Sequence, residues 1–97
     1  MALAKSLSVG VIGATGMVGL ELVKLLESRR FPVKRLLAYS SGAARKTVRF
    51  RGRTLEAPGI DEASLSSCDI IFFVSSDEVS KALAPGLAAR GIWCIDD

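Results

Sequence analysis

The amino-acid sequence predicts an α/β protein with a doubly wound, mostly parallel sheet and an appended antiparallel hairpin. Three observations support this fold class. Short apolar runs alternate with amphipathic segments of helix length, an order typical of a parallel sheet with helices on both faces. A glycine-rich turn follows the first apolar run and opens the first helical pattern. The chain has 97 residues, 49% of them hydrophobic, and a formal net charge of +3, which fits one compact domain.

The first part of the chain has the pattern strand, helix, strand. Leu7 to Ile12 is short and apolar, so it is predicted to be the first strand. From Met17 to Arg29, apolar residues recur at helical spacing, and Phe31-Pro32 ends that helix. Arg35 to Ser40 is the predicted second strand.

A hairpin is predicted next, because two short strand-like runs flank a turn signal. These runs are Thr47 to Phe50 and Arg53 to Glu56, and Arg51-Gly52 lies between them. A short polar stretch then leads away from the hairpin. We expect the hairpin to be attached to the main sheet.

The second part of the chain repeats the strand, helix, strand order. Asp69 to Val74 has the unbroken apolar character of a central parallel strand. Asp77 to Arg90 is helical in pattern, with a kink expected at Pro85, and Ile92 to Ile95 is the last strand. Right-handed crossovers from two neighbouring central strands place the two helices on opposite faces. Ligands of such sheets bind beyond the carboxyl ends of the strands, where the strand order reverses.

Composition excludes several classes of protein. The longest apolar run, residues 70–74, is too short to cross a membrane, and the first residues lack a secretory signal pattern, so we expect a cytoplasmic protein without a membrane anchor. Cys68 and Cys94 lie among apolar residues and are predicted to be buried hydrophobic side chains. The chain has no histidine, so it lacks the commonest general base, and no metal site is predicted.

Charge is unevenly distributed along the chain. Nine basic residues and no acidic one lie between Ser28 and Leu55, whereas the rest carries four basic and ten acidic residues. The favoured interpretation is a solvated hairpin face, with Arg49, Arg51 and Arg53 pointing the same way. A phosphate-related role is the second alternative, and nucleic-acid binding is the least favoured.

The glycine-rich turn carries the strongest functional signal. Gly13 permits a tight exit from the strand, Gly16 lets the backbone approach a pyrophosphate, and Gly19 lets the helix pack closely. The amides of the first helical turn would then hold the phosphates. A purely structural tight turn is the alternative. The turn therefore predicts a dinucleotide as the partner of this chain.

The end of the second strand points to NADP rather than NAD. An NAD-preferring site usually has an acidic residue there to bind the ribose hydroxyls. This chain has Ser40, Ser41 and Gly42 instead, with Arg45 and Lys46 just beyond. The alternative is that these serines only satisfy backbone groups of the loop.

Four stretches together resemble the N-terminal part of aspartate-semialdehyde dehydrogenases. They are residues 9–41, 49–56, 69–91 and 94–97, which cover nearly the whole chain. The resemblance implies a Rossmann-type fold, incomplete relative to the full enzyme. It also implies NADPH-dependent formation of aspartate 4-semialdehyde from 4-aspartyl phosphate, on the route to lysine, threonine and methionine.

The same resemblance assigns roles to individual residues. Thr15, Gly16, Met17 and Val18 would line the pyrophosphate, Ser41 and Gly42 would meet the 2′-phosphate, and Ser75 would lie on the nicotinamide side. The catalytic residues of such enzymes lie in a part that has no counterpart in residues 1–97. We therefore expect a cofactor-binding portion that has no activity alone and that either self-associates or needs a C-terminal domain.

Two further hypotheses remain open. The related N-acetyl-glutamyl-phosphate reductases have a similar turn, although Met17-Val18 favours the first family. A noncatalytic nucleotide-sensing or interaction module could use the same fold.

Overall fold

A computed structural model describes residues 6–40 and 46–96. The sequence forms six strands and three helices within these ranges. In chain order they are β1 (Leu7–Ile12), α1 (Met17–Ser28), β2 (Val33–Tyr39), β3 (Lys46–Phe50), β4 (Arg53–Ala57), α2 (Glu62–Leu65), β5 (Ile70–Phe73), α3 (Asp77–Ala89) and β6 (Trp93–Asp96).

The main sheet is parallel and has the strand order β2-β1-β5-β6. This confirms the doubly wound, Rossmann-type fold, with β1 and β5 at the centre. Ile12 is aligned with Tyr39 on one side and Phe73 on the other. The carboxyl ends of these three strands are therefore level and form one edge of the sheet, which we call the carboxyl edge.

Two hydrophobic cores lie on opposite faces of this sheet. Alternate residues of β1 point to opposite sides, so Val11 and Ile12 belong to different cores. One core contains Val23 of α1 together with the hairpin, and the other contains Leu87 of α3. The two long helices thus cover opposite faces, as the right-handed crossovers predict.

The hairpin and α2 differ from the expectations in detail. Strands β3 and β4 form a separate two-stranded sheet, and buried Val48 and Phe50 pack it into the core on the α1 side. The polar stretch after the hairpin contains the one-turn helix α2, because the Asp61 side chain accepts a hydrogen bond from the Ala63 amide at its start. Helix α3 continues through Pro85.

The three arginines of the hairpin do not point the same way, so that expectation was wrong. Arg51 and Gly52 form the hairpin turn, with φ values of 53° and 77°. Phe50 is aligned with Arg53 in the antiparallel ladder, so these two residues share one face. Arg49 is on the other face, because successive residues of a strand alternate.

Part of the sheet on the α1 side has no covering element among the described residues. Ile95 of β6 lies beside Leu25 of α1 and Phe72 of β5 around an open cleft of about 420 Å³. Trp93 is on the same face as Ile95 and is 72% exposed. Apolar surface is therefore left in contact with solvent beside the edge strand β6.

None of the helices in the described ranges is long and apolar enough to cross a membrane.

Candidate functional site

The turn between β1 and α1 lies at the carboxyl edge and is tied to the end of β2. The amides of Gly13 and Ala14 both donate to the Tyr39 carbonyl oxygen, at 2.9 and 3.0 Å. The Gly16 amide donates to the Gly13 carbonyl oxygen at 3.1 Å, which closes the turn. Main-chain atoms make all three contacts, so no side-chain motif could have revealed that Tyr39 anchors the turn.

Gly13 is required by the fold itself. Its φ is +93°, a conformation that L side chains rarely adopt. A Cβ atom at this position would lie 2.8 Å from the Val74 carbonyl oxygen and 3.0 Å from the Ser75 Cβ. The turn thus packs directly against the chain leaving β5, and Ser75 lies beside it.

Gly19 is also required by packing. A Cβ atom there would lie 2.0 Å from the Gly13 carbonyl oxygen and 2.7 Å from the Ala14 Cα. These distances are far below any van der Waals contact, and both neighbouring atoms belong to the backbone. The close approach of α1 to the turn therefore depends on glycine at position 19.

Gly16 differs from both of these glycines. Its backbone is extended, with φ −78° and ψ 173°, and the nearest atom to a Cβ at this position is the Gly13 carbonyl oxygen at 3.5 Å. The residue is exposed. No contact within the described residues requires glycine here, and space in front of this position is open.

The first turn of α1 presents amides that the helix does not use. Gly16 is the N-cap and provides no side-chain hydrogen bond, whereas the side chains of Asp61 and Ser76 cap α2 and α3. The Leu20 amide makes the first helical bond, to the Gly16 carbonyl oxygen at 2.9 Å. The amides of residues 17–19 precede it, and the first turn of α1 has no acidic residue. This end of α1 is suited to bind an anion.

The side chains around this helix end are accessible. Met17 is 84% exposed and Val18 is 52% exposed. Thr15 is half-buried in the turn itself. Apolar surface of Met17 and Val18 is thus accessible beside the amides of residues 17–19.

The residues predicted to meet the 2′-phosphate differ in where the structure places them. The Ser40 side chain is buried at the end of β2, and the Ser40 amide donates to the Pro58 carbonyl oxygen at 2.8 Å. Ser41, Gly42 and Arg45 lie outside the described residues. Lys46 is exposed at the start of β3.

Neither cysteine has the properties of a nucleophile. Cys68 is buried, as predicted, and burial raises the pKa of its thiol to about 11. Cys94 is only half-buried, because β6 is an edge strand, and desolvation also raises the pKa of this thiol. Both thiols are therefore protonated at neutral pH, when the reactive form is the thiolate.

Asp96 is a further polar residue at the carboxyl edge. It extends β6 beyond the predicted end and is aligned with Phe73 of β5. Its carboxylate accepts a hydrogen bond of 2.7 Å from the hydroxyl of Ser80 in α3. Within residues 6–40 and 46–96, no group of three His, Cys, Asp or Glu side chains is arranged to hold a metal ion.

Comparison with known proteins identifies the same fold and the same region of sequence. Residues 8–97 match the family model described as the NAD-binding domain of semialdehyde dehydrogenase. An aspartate-semialdehyde dehydrogenase from Legionella pneumophila is 36% identical over 96 residues, which are 98% of this chain and 28% of that protein. A Pseudomonas aeruginosa protein named USG-1 protein homolog is 39% identical over 97% of this chain and 28% of its own length.

Solved structures show the same similarity to aspartate-semialdehyde dehydrogenases. The crystal structure of aspartate semialdehyde dehydrogenase II from Vibrio cholerae superposes with a TM-score of 0.88 at 34% identity, over 96% of this chain and 28% of that one. The chain thus spans little more than a quarter of the length of these relatives. The glycine turn, the four parallel strands and the matching family model together show that this chain belongs to the NAD-binding domain family of the semialdehyde dehydrogenases.

Proposed function

We propose that this chain is the NADP-binding portion of a cytoplasmic, phosphorylating aldehyde dehydrogenase that converts 4-aspartyl phosphate to aspartate 4-semialdehyde, on the route to lysine, threonine and methionine. The single observation that carries the proposal is the uncapped start of α1 beside Gly16, where glycine is not needed for packing. Family membership supports the wider assignment to oxidoreductases. Residues 1–97 form the dinucleotide-binding domain in this proposal.

The amides of residues 17–19 hold the pyrophosphate of the cofactor. Gly16 leaves room for the phosphate oxygens to reach them, and Thr15 and Met17 line the sides of the site. The positive end of the α1 dipole adds to the attraction. Ser75, beside Gly13 at the end of β5, lies towards the nicotinamide half.

The 2′-phosphate is held by the loop after β2. Ser40 directly follows β2 and is not an acidic residue that would repel a phosphate. Because Ser40 itself is buried, recognition depends on Ser41, Gly42 and the cations Arg45 and Lys46. This assignment favours NADP over NAD.

The chain binds and orients the cofactor but does not carry out the reaction. NADPH supplies the hydride when it is bound, while the thioester-forming nucleophile and the base come from another part of the complete enzyme. This division is supported by the absence of histidine from the sequence and by the protonated state of Cys68 and Cys94. A C-terminal domain or a second copy of the chain covers the apolar surface around Trp93.

The cofactor preference is tested by calorimetric titration with NADP and NAD. We expect tighter binding of NADP, and we expect Lys46→Gln to reduce the ratio of the two affinities by about tenfold, the contribution of one charge-assisted hydrogen bond. Lys24→Gln, which removes an exposed lysine from α1, is the matched control and should leave the ratio unchanged. Equal affinities, or tighter binding of NAD, contradict the proposed preference.

A noncatalytic nucleotide-sensing module is the second candidate. It is favoured by the same lack of histidine and thiolate. The two functions are distinguished by fusing the C-terminal part of a related dehydrogenase to the chain. Recovery of phosphate-dependent NADP reduction supports the enzyme, whereas cofactor binding without such recovery supports the sensing module.

A further inference from the structure

A basic groove lies between the start of β2 and the hairpin. Its volume is about 460 Å³, within the usual range of small-molecule sites. Four of its lining residues are cationic, the other four are apolar, and none is acidic. The four cations are Lys34, Arg35, Arg51 and Arg53.

Arg51 builds this groove by fastening the hairpin turn to β2. Its guanidinium group donates to the carbonyl oxygens of Val33 and Phe31, at 2.8 and 3.3 Å, and lies 4.9 Å from the centre of the Phe50 ring. Arg51 keeps a positive φ of 53°, which is uncommon for a residue other than glycine. The side-chain contacts thus hold a strained turn in place against the sheet.

This clamp brings together cations that are far apart in the sequence. Arg53 follows the turn on the same face as Phe50, and Lys34 is an exposed residue of β2. Arg35 contributes less to the charge of the groove, because its guanidinium acts on Tyr39 and Cys68 of the other core and so is directed towards the opposite face of the sheet. Like charges gathered around one cleft repel each other, so an anion bound among them would be favoured. These cations are exposed, as the interpretation of a solvated face predicts, and the groove adds that they lie around one cleft.

The basic groove is separate from the glycine turn. Arg35 and Tyr39 lie four residues apart on β2, about 13 Å at the usual rise of a strand. The turn is bonded to Tyr39, at the opposite end of that strand. One dinucleotide bound at the carboxyl edge therefore does not use the groove for its pyrophosphate.

We propose that the basic groove binds a small, multiply charged phosphate compound at a second site, apart from the cofactor. The groove has the volume of a small ligand, and its one aromatic residue, Phe50, is buried. A single-stranded nucleic acid would need exposed rings on which to stack its bases, so the small anion is the better fit.

The test uses calorimetric titration with inorganic pyrophosphate at low salt, on the chain saturated with NADP so that the glycine turn is already occupied. Lys34→Gln/Arg53→Gln removes two charges from the groove, and Lys24→Gln/Arg29→Gln removes two exposed charges outside it. We expect the groove variant to lose about hundredfold in affinity, tenfold for each contact. The control variant should stay within about threefold of the original chain.

Other outcomes overturn the proposal. Equal losses in the two double variants would show a general field effect, and loss of pyrophosphate binding on saturation with NADP would place the anion at the glycine turn. Tighter binding of an oligonucleotide, falling steeply with salt, would indicate a nucleic-acid surface instead. Circular dichroism of each variant checks that the fold is intact.

Discussion

Substitutions at Gly16 and Gly19 should separate ligand binding from folding. The two glycines lie three residues apart in the same turn, but their surroundings differ. A Cβ at Gly16 would have one neighbour, at 3.5 Å, whereas a Cβ at Gly19 would lie 2.0 Å from a backbone oxygen. Gly16→Val should therefore fold without cofactor binding, and Gly19→Ala should impair folding.

The expected magnitudes follow from these distances. Valine is a poorer N-cap than glycine, so Gly16→Val should lower the free energy of unfolding by about 0.5 to 1 kcal/mol. At Gly19, even one methyl group forces the helix away from the turn, and we expect a loss of about 3 kcal/mol or more. For a domain of this size, these losses correspond to decreases in Tm of about 2 to 8 °C and about 12 °C or more.

NADP binding should respond most strongly to Gly16→Val, whereas stability responds most strongly to Gly19→Ala. The valine side chain of Gly16→Val occupies the space in front of the amides of residues 17–19, so two charge-assisted hydrogen bonds to phosphate are lost. NADP affinity should fall about hundredfold or more. Thermal melts followed by circular dichroism give Tm, and calorimetry gives Kd. A folded Gly16→Val variant whose affinity stays within about threefold, or a Gly19→Ala variant that melts like the original chain, refutes this reasoning.

Three further predictions concern other parts of the molecule. Sedimentation at micromolar concentration should show self-association through the exposed face around Trp93, and Trp93→Glu should shift the chain towards a 10.3 kDa monomer; a monomer in both cases contradicts this. The Cys68 thiol has a pKa of 9.0 in the unfolded chain, whereas burial raises the native pKa to about 11. The free energy of unfolding should therefore be constant below about pH 9 and should fall by about 1.4 kcal/mol by pH 10. Urea unfolding at several pH values should show this fall in the original chain and a smaller fall in Cys68→Ala. The same pH dependence in both proteins contradicts the prediction. The purified chain should not reduce NADP in the presence of aspartate semialdehyde and phosphate, because it has no histidine and its two thiols are protonated at neutral pH; measurable turnover contradicts this.

The topology could be predicted because it depends on patterns that are local in sequence. Apolar runs, helical spacing and the glycine turn indicated the strand order and the opposite placement of α1 and α3. Helix α2 was missed since its residues are mostly polar and its start depends on one side-chain contact, from Asp61 to the Ala63 amide. The half-exposed state of Cys94 follows from the position of β6 at the sheet edge, which only the assembled sheet defines.

The candidate site was predictable in position but not in the roles of its parts. The spacing of the glycines located the turn, whereas the distances around all three glycines were needed to show that packing requires Gly13 and Gly19 but not Gly16. The role of Arg51 in attaching the hairpin to β2 could not be predicted from the sequence, for a similar reason. Its partners are main-chain carbonyl oxygens in β2 and before it, and no residue type marks such an acceptor.

The central claim is that a dinucleotide binds at the start of α1, and amide chemical-shift mapping during an NADP titration tests it most directly. The largest shifts should fall on the amides of residues 13–19, with smaller ones at Ser75, and a Gly16→Val variant should show none of them. Shifts of similar size elsewhere in the chain, with residues 13–19 unaffected at saturating NADP, would contradict the claim.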